Sequence, residues 1–117
     1  MEDLIKALKA LSDGTRIRIM RVLLEKECCV CEIMQALDIS QSRASRNLGI
    51  LQDAGFLKTR RDGQWIVYSI DQNTTIRHAQ SLTRLVGSSS LGETVLKQDK
   101  ARLKGAVRRG PGCGRKR

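Results

Sequence analysis

The hydrophobic period of this chain changes abruptly at Gly55, and that change limits the folds open to it. Val30, Ile33, Met34 and Leu37 follow the i, i+3, i+4, i+7 pattern of a short helix. Asp38-Ile39-Ser40 is a tight link, and Ser40 suits the cap of a second helix. The buried stripe of that helix is Ala44, Leu48 and Leu51, and Ala54-Gly55 ends it. Beyond Gly55 the residues suit strands: 56–61, an Asp62-Gly63 turn, then 64–70 with Trp65, Ile66, Val67, Tyr68 and Ile70. Two short helices joined by so few residues, the second polar and basic at its start, describe a helix-turn-helix. A hairpin directly after them is a wing. The predicted fold class is mainly α with a β-hairpin wing, a winged helix-turn-helix.

The flanks are helical. Leu4, Ile5, Leu8 and Leu11 predict a first helix over 2–12. Ser12-Asp13-Gly14 breaks it, and Asp13 is placed to cap a helix running from about Thr15 to Glu25. Residues 74–86 carry a stripe of Ile76, Ala79, Leu82, Leu85 and Val86, which reads as core or helix–helix face. Gly87-Ser88-Ser89-Ser90 is a linker-like break. Residues 93–107 have helix-forming composition but a thin stripe of Val95, Leu96, Leu103 and Val107. The expected organisation is a winged helix-turn-helix and dimerisation domain over 1–90, a helical extension over 91–107, and a disordered basic tail over 108–117.

The net charge of +10 is unevenly spread. Residues 97–117 hold nine Lys or Arg against Asp99 alone, so +8 of it lies there. That stretch is expected to add non-specific affinity for polyanions. The informative charge is local. Arg43, Arg46, Lys58, Arg60 and Arg61 face one acid, Asp53, between Ser40 and Arg61, which is a basic patch within a folded segment. Gln41, Ser42, Arg43, Ser45, Arg46 and Asn47 crowd the start of the second helix, where helix-turn-helix proteins contact bases in the major groove. Arg pairs bidentately with guanine and Gln or Asn with adenine, while Ser hydroxyls grip phosphate. Arg60 and Arg61 are placed to reach the flanking DNA from the wing. The bland alternative is a solvated helix face, against which spacing, wing and charge all agree.

Enzyme chemistry finds little to work with. His78 is the only histidine, and no glycine-rich phosphate loop is present, so no nucleophile–base pair can be assembled. Cys28-x-x-Cys31 has the spacing of a thiol oxidoreductase, but not the βαβ setting. No apolar run approaches the ~20 residues that span a bilayer. The first ten residues lack the pattern of a signal peptide, so the expected compartment is the cytoplasm, with no membrane partner.

Cys28, Cys29 and Cys31 lie within four residues, which reads as metal binding or redox chemistry. Soft thiolates suit thiophilic ions, Zn(II) and Cu(I). On an ideal helix residues 29 and 31 point about 200° apart, so joining them at one ion requires a non-helical start. Cys28 and Cys31, at i and i+3, share a helical face. Core packing is the plain alternative, above all for Cys28. Cys113 reads first as an incidental thiol and second as an additional or substitute ligand.

The stretch ALSDGTRIRIMRVLL resembles the opening of ArsR/SmtB-family repressors. SQSRASRNLGILQDAGFLKTRRDGQWIVYSI is similar to their recognition helix and wing, and Glu27-Cys28-Cys29-Val30-Cys31-Glu32 to the cysteine motif of the arsenic-sensing branch. The resemblance runs from about Leu4 to Ile70 and implies a homodimer joined through its first and late helices. It implies repression by binding double-stranded operator DNA, with release when As(III) or Sb(III) binds three thiolates. Cys29 and Cys31 match the motif position by position, and proximity nominates Cys28 as the third ligand. The chain departs from the family pattern with Gly14 for Pro, Asn47 for His, Met34 for the third cysteine and Cys28 for Leu. Zinc-sensing members use His and carboxylates on the late helix, which a single His78 cannot supply, so His78 reads as structural or surface. Redox sensing, or sensing of Cd(II), Pb(II) or Zn(II), are the alternatives on the same fold.

Overall fold

The computed structural model describes residues 1–74, 77–90 and 92–109. The chain runs α1 (Glu2–Leu11), α2 (Gly14–Glu25), β1 (Cys28–Cys29), α3 (Val30–Leu37), α4 (Gln41–Asp53), β2 (Leu57–Asp62), β3 (Trp65–Ile70), α5 (Arg77–Ser88) and α6 (Glu93–Lys104). This is a winged helix-turn-helix, as the change of period at Gly55 predicts.

Local chemistry sets the boundaries. Asp13 caps α2 by accepting the Arg16 amide at 3.1 Å, and Ser40 caps α4 by accepting the Arg43 amide at 3.2 Å. Asp38 takes the left-handed conformation, with φ of 57°, which turns the chain sharply between α3 and α4. Gly55, at φ of 93°, turns it out of α4 into the wing. The hairpin loop falls one residue later than expected. Asp62 pairs with Trp65, so Gly63 and Gln64 form the turn, with Gly63 at φ of 63°.

Ile19, Met20, Ile33, Leu48, Leu51 and Phe56 meet at the centre of the core, all essentially without solvent contact. Burying side chains of this size stabilises by roughly 1.5–3 kcal/mol each. The third strand was not expected. Cys28 and Cys29 pair antiparallel with Tyr68 and Val67, giving a sheet in the order β1-β3-β2.

α6 falls within the helical extension expected over 91–107, and it packs along α3 and α2. Its thin apolar stripe contributes one buried residue, Leu103, while Val95 and Val107 stay exposed. The anchor is Asp99, only 1% exposed, which accepts two hydrogen bonds from Arg18 and one from Arg102. Arg108 and Arg109, expected in a disordered tail, make specific contacts with Glu32, Asp62, Cys31 and Trp65. Ile76 and the remaining tail residues, Cys113 among them, lie outside the described residues. No helix among the described residues is long and apolar enough to cross a membrane.

Candidate functional site

Two sites share one frame. The first is the exposed face of α4. Gln41, Ser42, Arg43, Ser45 and Arg46 are all exposed there, while Ala44, Leu48 and Leu51 face the core. Arg43 is exposed but not loose, since its Nη2 donates to Thr15 Oγ1 at 2.9 Å. Asn47 differs from expectation. It is 4% exposed, accepts a hydrogen bond from Arg16 Nη1 at 2.8 Å, and donates to the Arg43 carbonyl at 2.9 Å. Its amide therefore ties α4 to α2 instead of facing outward. Arg16 also donates from Nε to the Ala10 carbonyl at 2.6 Å, so one guanidinium joins α1, α2 and α4. The residue types of Thr15 and Arg16 gave no hint of these roles, which depend on contacts distant in sequence.

On the wing, Lys58, Arg60 and Arg61 are exposed along β2. Arg60 forms an ion pair with Glu27, directly before the cysteines. Arg61 Nη1 lies 3.4 Å from the Gly63 carbonyl at the wing tip. His78 is half-buried on α5.

The second site is the junction of β1 and α3. Cys29 is the residue before the helix, with extended φ and ψ of −85° and 174°. This is the non-helical start that the spacing requires. It turns the Cys29 side chain onto the Cys31 side, and the two sulfurs lie 3.1 Å apart. Cys28 does not join them. Neighbouring strand residues point to opposite faces, so the Cys28 thiol enters the hydrophobic core and donates to the Lys26 carbonyl at 3.4 Å. Burial, with the Glu32 carboxylate adding to it, pushes that thiol up to about 12. Cys28, expected as the third ligand, thus sits in the hydrophobic core, facing away from the Cys29–Cys31 pair.

Two sulfurs bound to one soft ion at about 2.3 Å each lie less than ~4.6 Å apart, and the Cys29–Cys31 pair meets that condition. Among the described residues no cluster of three metal-ligating side chains occurs. The pair is roofed by residues 106–109. The Cys31 thiol lies 3.8 Å from the Val107 carbonyl, and the Arg109 amide donates to its sulfur at 3.4 Å.

Glu32 locks the junction. Its carboxylate accepts the Cys29 amide at 2.9 Å and Arg108 Nε at 3.1 Å, completing a capping box. Burial pushes its pKa up, but the Cys29 amide and Arg108 outweigh burial and hold it below the ordinary 4.5. A depressed folded pKa stabilises the fold above the unfolded value and loses that contribution as pH falls through the folded one. Glu32→Gln should thus flatten the fall in urea midpoint between about pH 5 and pH 3. An unchanged slope would assign that acid sensitivity to other carboxylates.

Residues 13–59 match the family described as "Bacterial regulatory protein, arsR family". Over 90 residues the chain is 39% identical to the "Putative arsenical resistance operon repressor ArsR" of Halobacterium salinarum, covering 75% of this chain and 67% of that one. The chain belongs to the arsR family of bacterial regulatory proteins. The chain is also 43% identical over 70 residues to the "Cadmium resistance transcriptional regulatory protein CadC homolog" of Staphylococcus aureus, covering 59% of this chain and 58% of that one. Several other curated relatives are spanned over only 49% to 57% of their length. Among solved structures, the homodimeric winged helix-turn-helix DNA-binding domain of a possible ArsR-family regulator from Mycobacterium bovis superposes with a TM-score of 0.63. It is 29% identical, covering 73% of this chain and 75% of that one. Within this arsR-family chain, the matched segment contains both the exposed face of α4 and the cysteine junction.

Proposed function

We propose that this chain is a homodimeric transcriptional repressor that binds double-stranded operator DNA and releases it when arsenite or antimonite binds Cys29 and Cys31. The observation that carries this reading is the 3.1 Å sulfur pair at the start of α3. That position suits a switch. α3 is the first helix of the helix-turn-helix, and β1 is hydrogen-bonded to β3 of the wing. An ion bridging the two sulfurs would therefore bear on both α3 and the wing. A 5–150-fold loss of operator affinity needs only about 1–3 kcal/mol of coupling.

Dimerisation is supported by α1 and α5, which pack on each other yet leave Ile5, Leu8 and Leu85 at 45%, 48% and 63% exposure. Clustered cysteines outside any disulfide fit a reducing cytoplasm. Two sulfurs this close also suit oxidation to a disulfide, and Cd(II), Pb(II) or Zn(II) would find the same donors. One panel separates these readings: operator release in reducing buffer against arsenite, antimonite, cadmium, zinc and peroxide. Release at the lowest concentration by arsenite or antimonite is the expected outcome. A response to peroxide or cadmium alone would overturn it.

The α4 face makes its own prediction. Thr15 accepts one hydrogen bond from the Arg43 guanidinium, and Arg43 is exposed. Arg43→Ala should weaken operator binding by roughly 1–3 kcal/mol and relax preference at one position per half-site. Fluorescence anisotropy on operator and single-base variants measures both. If affinity and preference both stay at wild-type level, Arg43 reads no base.

A further inference from the structure

We propose that residues 106–109 form a strap that must lift before any ligand reaches the Cys31 sulfur, and that its lifting also releases the tip of the wing. Access to the thiol pair and the hold on the wing are then one equilibrium. The consequence for DNA rests on the proposed repressor function, whereas the strap itself does not.

The way the segment is held carries the argument. α6 ends at Lys104, and none of residues 106–109 is buried, with Val107 at 54% exposure. The strap therefore has no apolar anchor, and polar contacts hold it instead. Val107 exchanges two hydrogen bonds with the Gln35 side chain on α3, donating at 3.1 Å and accepting at 2.7 Å. Arg108 donates to Glu32 at 3.1 Å and to Asp62 at 2.8 Å, and its guanidinium lies over the Trp65 ring, 5.9 Å from the centroid. Trp65 Nε1 donates to the Arg109 carbonyl at 2.7 Å. The strap thus runs from α3 to Asp62 and Trp65, the strand pair that closes the hairpin turn. A segment held by polar contacts at the surface opens at far lower cost than the whole domain.

The same segment covers the thiol. The Arg109 amide is 3.4 Å from the Cys31 sulfur and the Val107 carbonyl 3.8 Å from it, and Cys31 is 1% exposed. An ion bonded to that sulfur at about 2.3 Å, together with its remaining ligands, needs room that the strap takes up. Cys28 is equally buried but lies in the hydrophobic core, where only unfolding of the domain exposes it. When the strap lifts, Arg109 leaves Trp65 and Arg108 leaves Asp62, whose other cationic neighbour, Arg60, is 4.0 Å away. An acid without its closer counter-charge then stands on the strand that carries Arg60 and Arg61. In the repressor reading, that opposes contact with phosphate.

The test uses the reduced full-length protein. Iodoacetamide labelling is followed cysteine by cysteine by tandem mass spectrometry, across urea concentrations below the unfolding transition. In the wild type Cys31 should label faster than Cys28 and with a much weaker dependence on urea, because lifting a strap exposes little surface. Arg108→Ala and Gln35→Ala should each label Cys31 at least tenfold faster than the wild type, since each removes two hydrogen bonds from the closed form. Ile19→Val, a mild truncation in the core, should speed Cys28 and leave Cys31 unchanged. The same urea dependence at Cys31 and Cys28 would overturn the proposal, as would a wild-type Cys31 rate in Arg108→Ala. Trp65 is the single tryptophan, so its emission reports the wing end of the strap. Sodium arsenite should shift that emission to longer wavelength in the wild type. Arsenic retained through gel filtration without a shift would overturn the link to the wing. A wild type that retains no arsenic fails the sensing reading instead, and the labelling rates still decide the strap.

Discussion

Asp99→Ala should destabilise the fold by about 3 kcal/mol, because it removes three charge-assisted hydrogen bonds and leaves one partly buried and one exposed guanidinium group without their counter-charge. Arg18 donates to both Asp99 oxygens at 2.8 Å and, through Nη2, to the Leu37 carbonyl at 3.0 Å. Arg102 donates to Asp99 at 2.9 Å and to the Ala36 carbonyl at 2.9 Å. One carboxylate thus organises two guanidinium groups that also satisfy the end of α3. Arg18 keeps 25% side-chain exposure, which sets the expectation at the lower end of the ~3–5 kcal/mol typical of broken buried pairs. Against a total stability of about 5–15 kcal/mol, that loss is large. It should lower Tm by about 10 °C or more. Equilibrium urea unfolding of Asp99→Ala beside Lys97→Ala, an exposed change on the same helix, gives the measurement. A cost below ~1 kcal/mol would mean that α6 is held by Leu103 and the helix backbone alone.

The same residue shows where sequence reading stops. The caps at Asp13 and Ser40 and the glycine turns at Gly55 and Gly63 were legible because each is set by residues within a few positions. The winged helix-turn-helix followed from them. β1 was not legible, since a two-residue strand carries no period and exists only because β3 lies beside it. That omission misplaced Cys28: on a helix it shares a face with Cys31, but on a strand it faces away from Cys29. Asp99 reads as one acid in a basic stretch until Arg18, 81 positions away, is brought to it. Asn47 looked like a base-reading amide because its residue type suits adenine. Its burial depends on Arg16, 31 positions earlier. In each case the local pattern gave the residue's chemistry, and a distant partner decided its use.

Cys29→Ser and Cys31→Ser should each abolish arsenite-induced release while leaving operator binding intact. The two halves of this expectation have separate physical grounds. In the proposed function operator binding rests on the exposed α4 face and the wing, whereas Cys29 and Cys31 are buried, with residues 107–109 over Cys31. Serine is smaller and can still accept the Arg109 amide, so the junction should keep its shape. The proposed induction requires both sulfurs, because one thiolate cannot bridge β1 and α3 through an ion. The wild type should lose operator affinity 5–150-fold on saturation with arsenite, and each variant less than about twofold. Reciprocity adds a check that needs no variant: operator DNA must weaken arsenite binding by the same factor that arsenite weakens operator binding. Arg60→Ala offers a comparison on the other side of the junction. It removes the ion pair between the wing and Glu27, so it should weaken DNA binding while leaving arsenite affinity within about threefold. Anisotropy titrations of the four proteins, with and without arsenite, decide the matter. If Cys29→Ser and Cys31→Ser both release DNA at the wild-type arsenite concentration, the close sulfur pair is a packing feature and the inducer acts elsewhere.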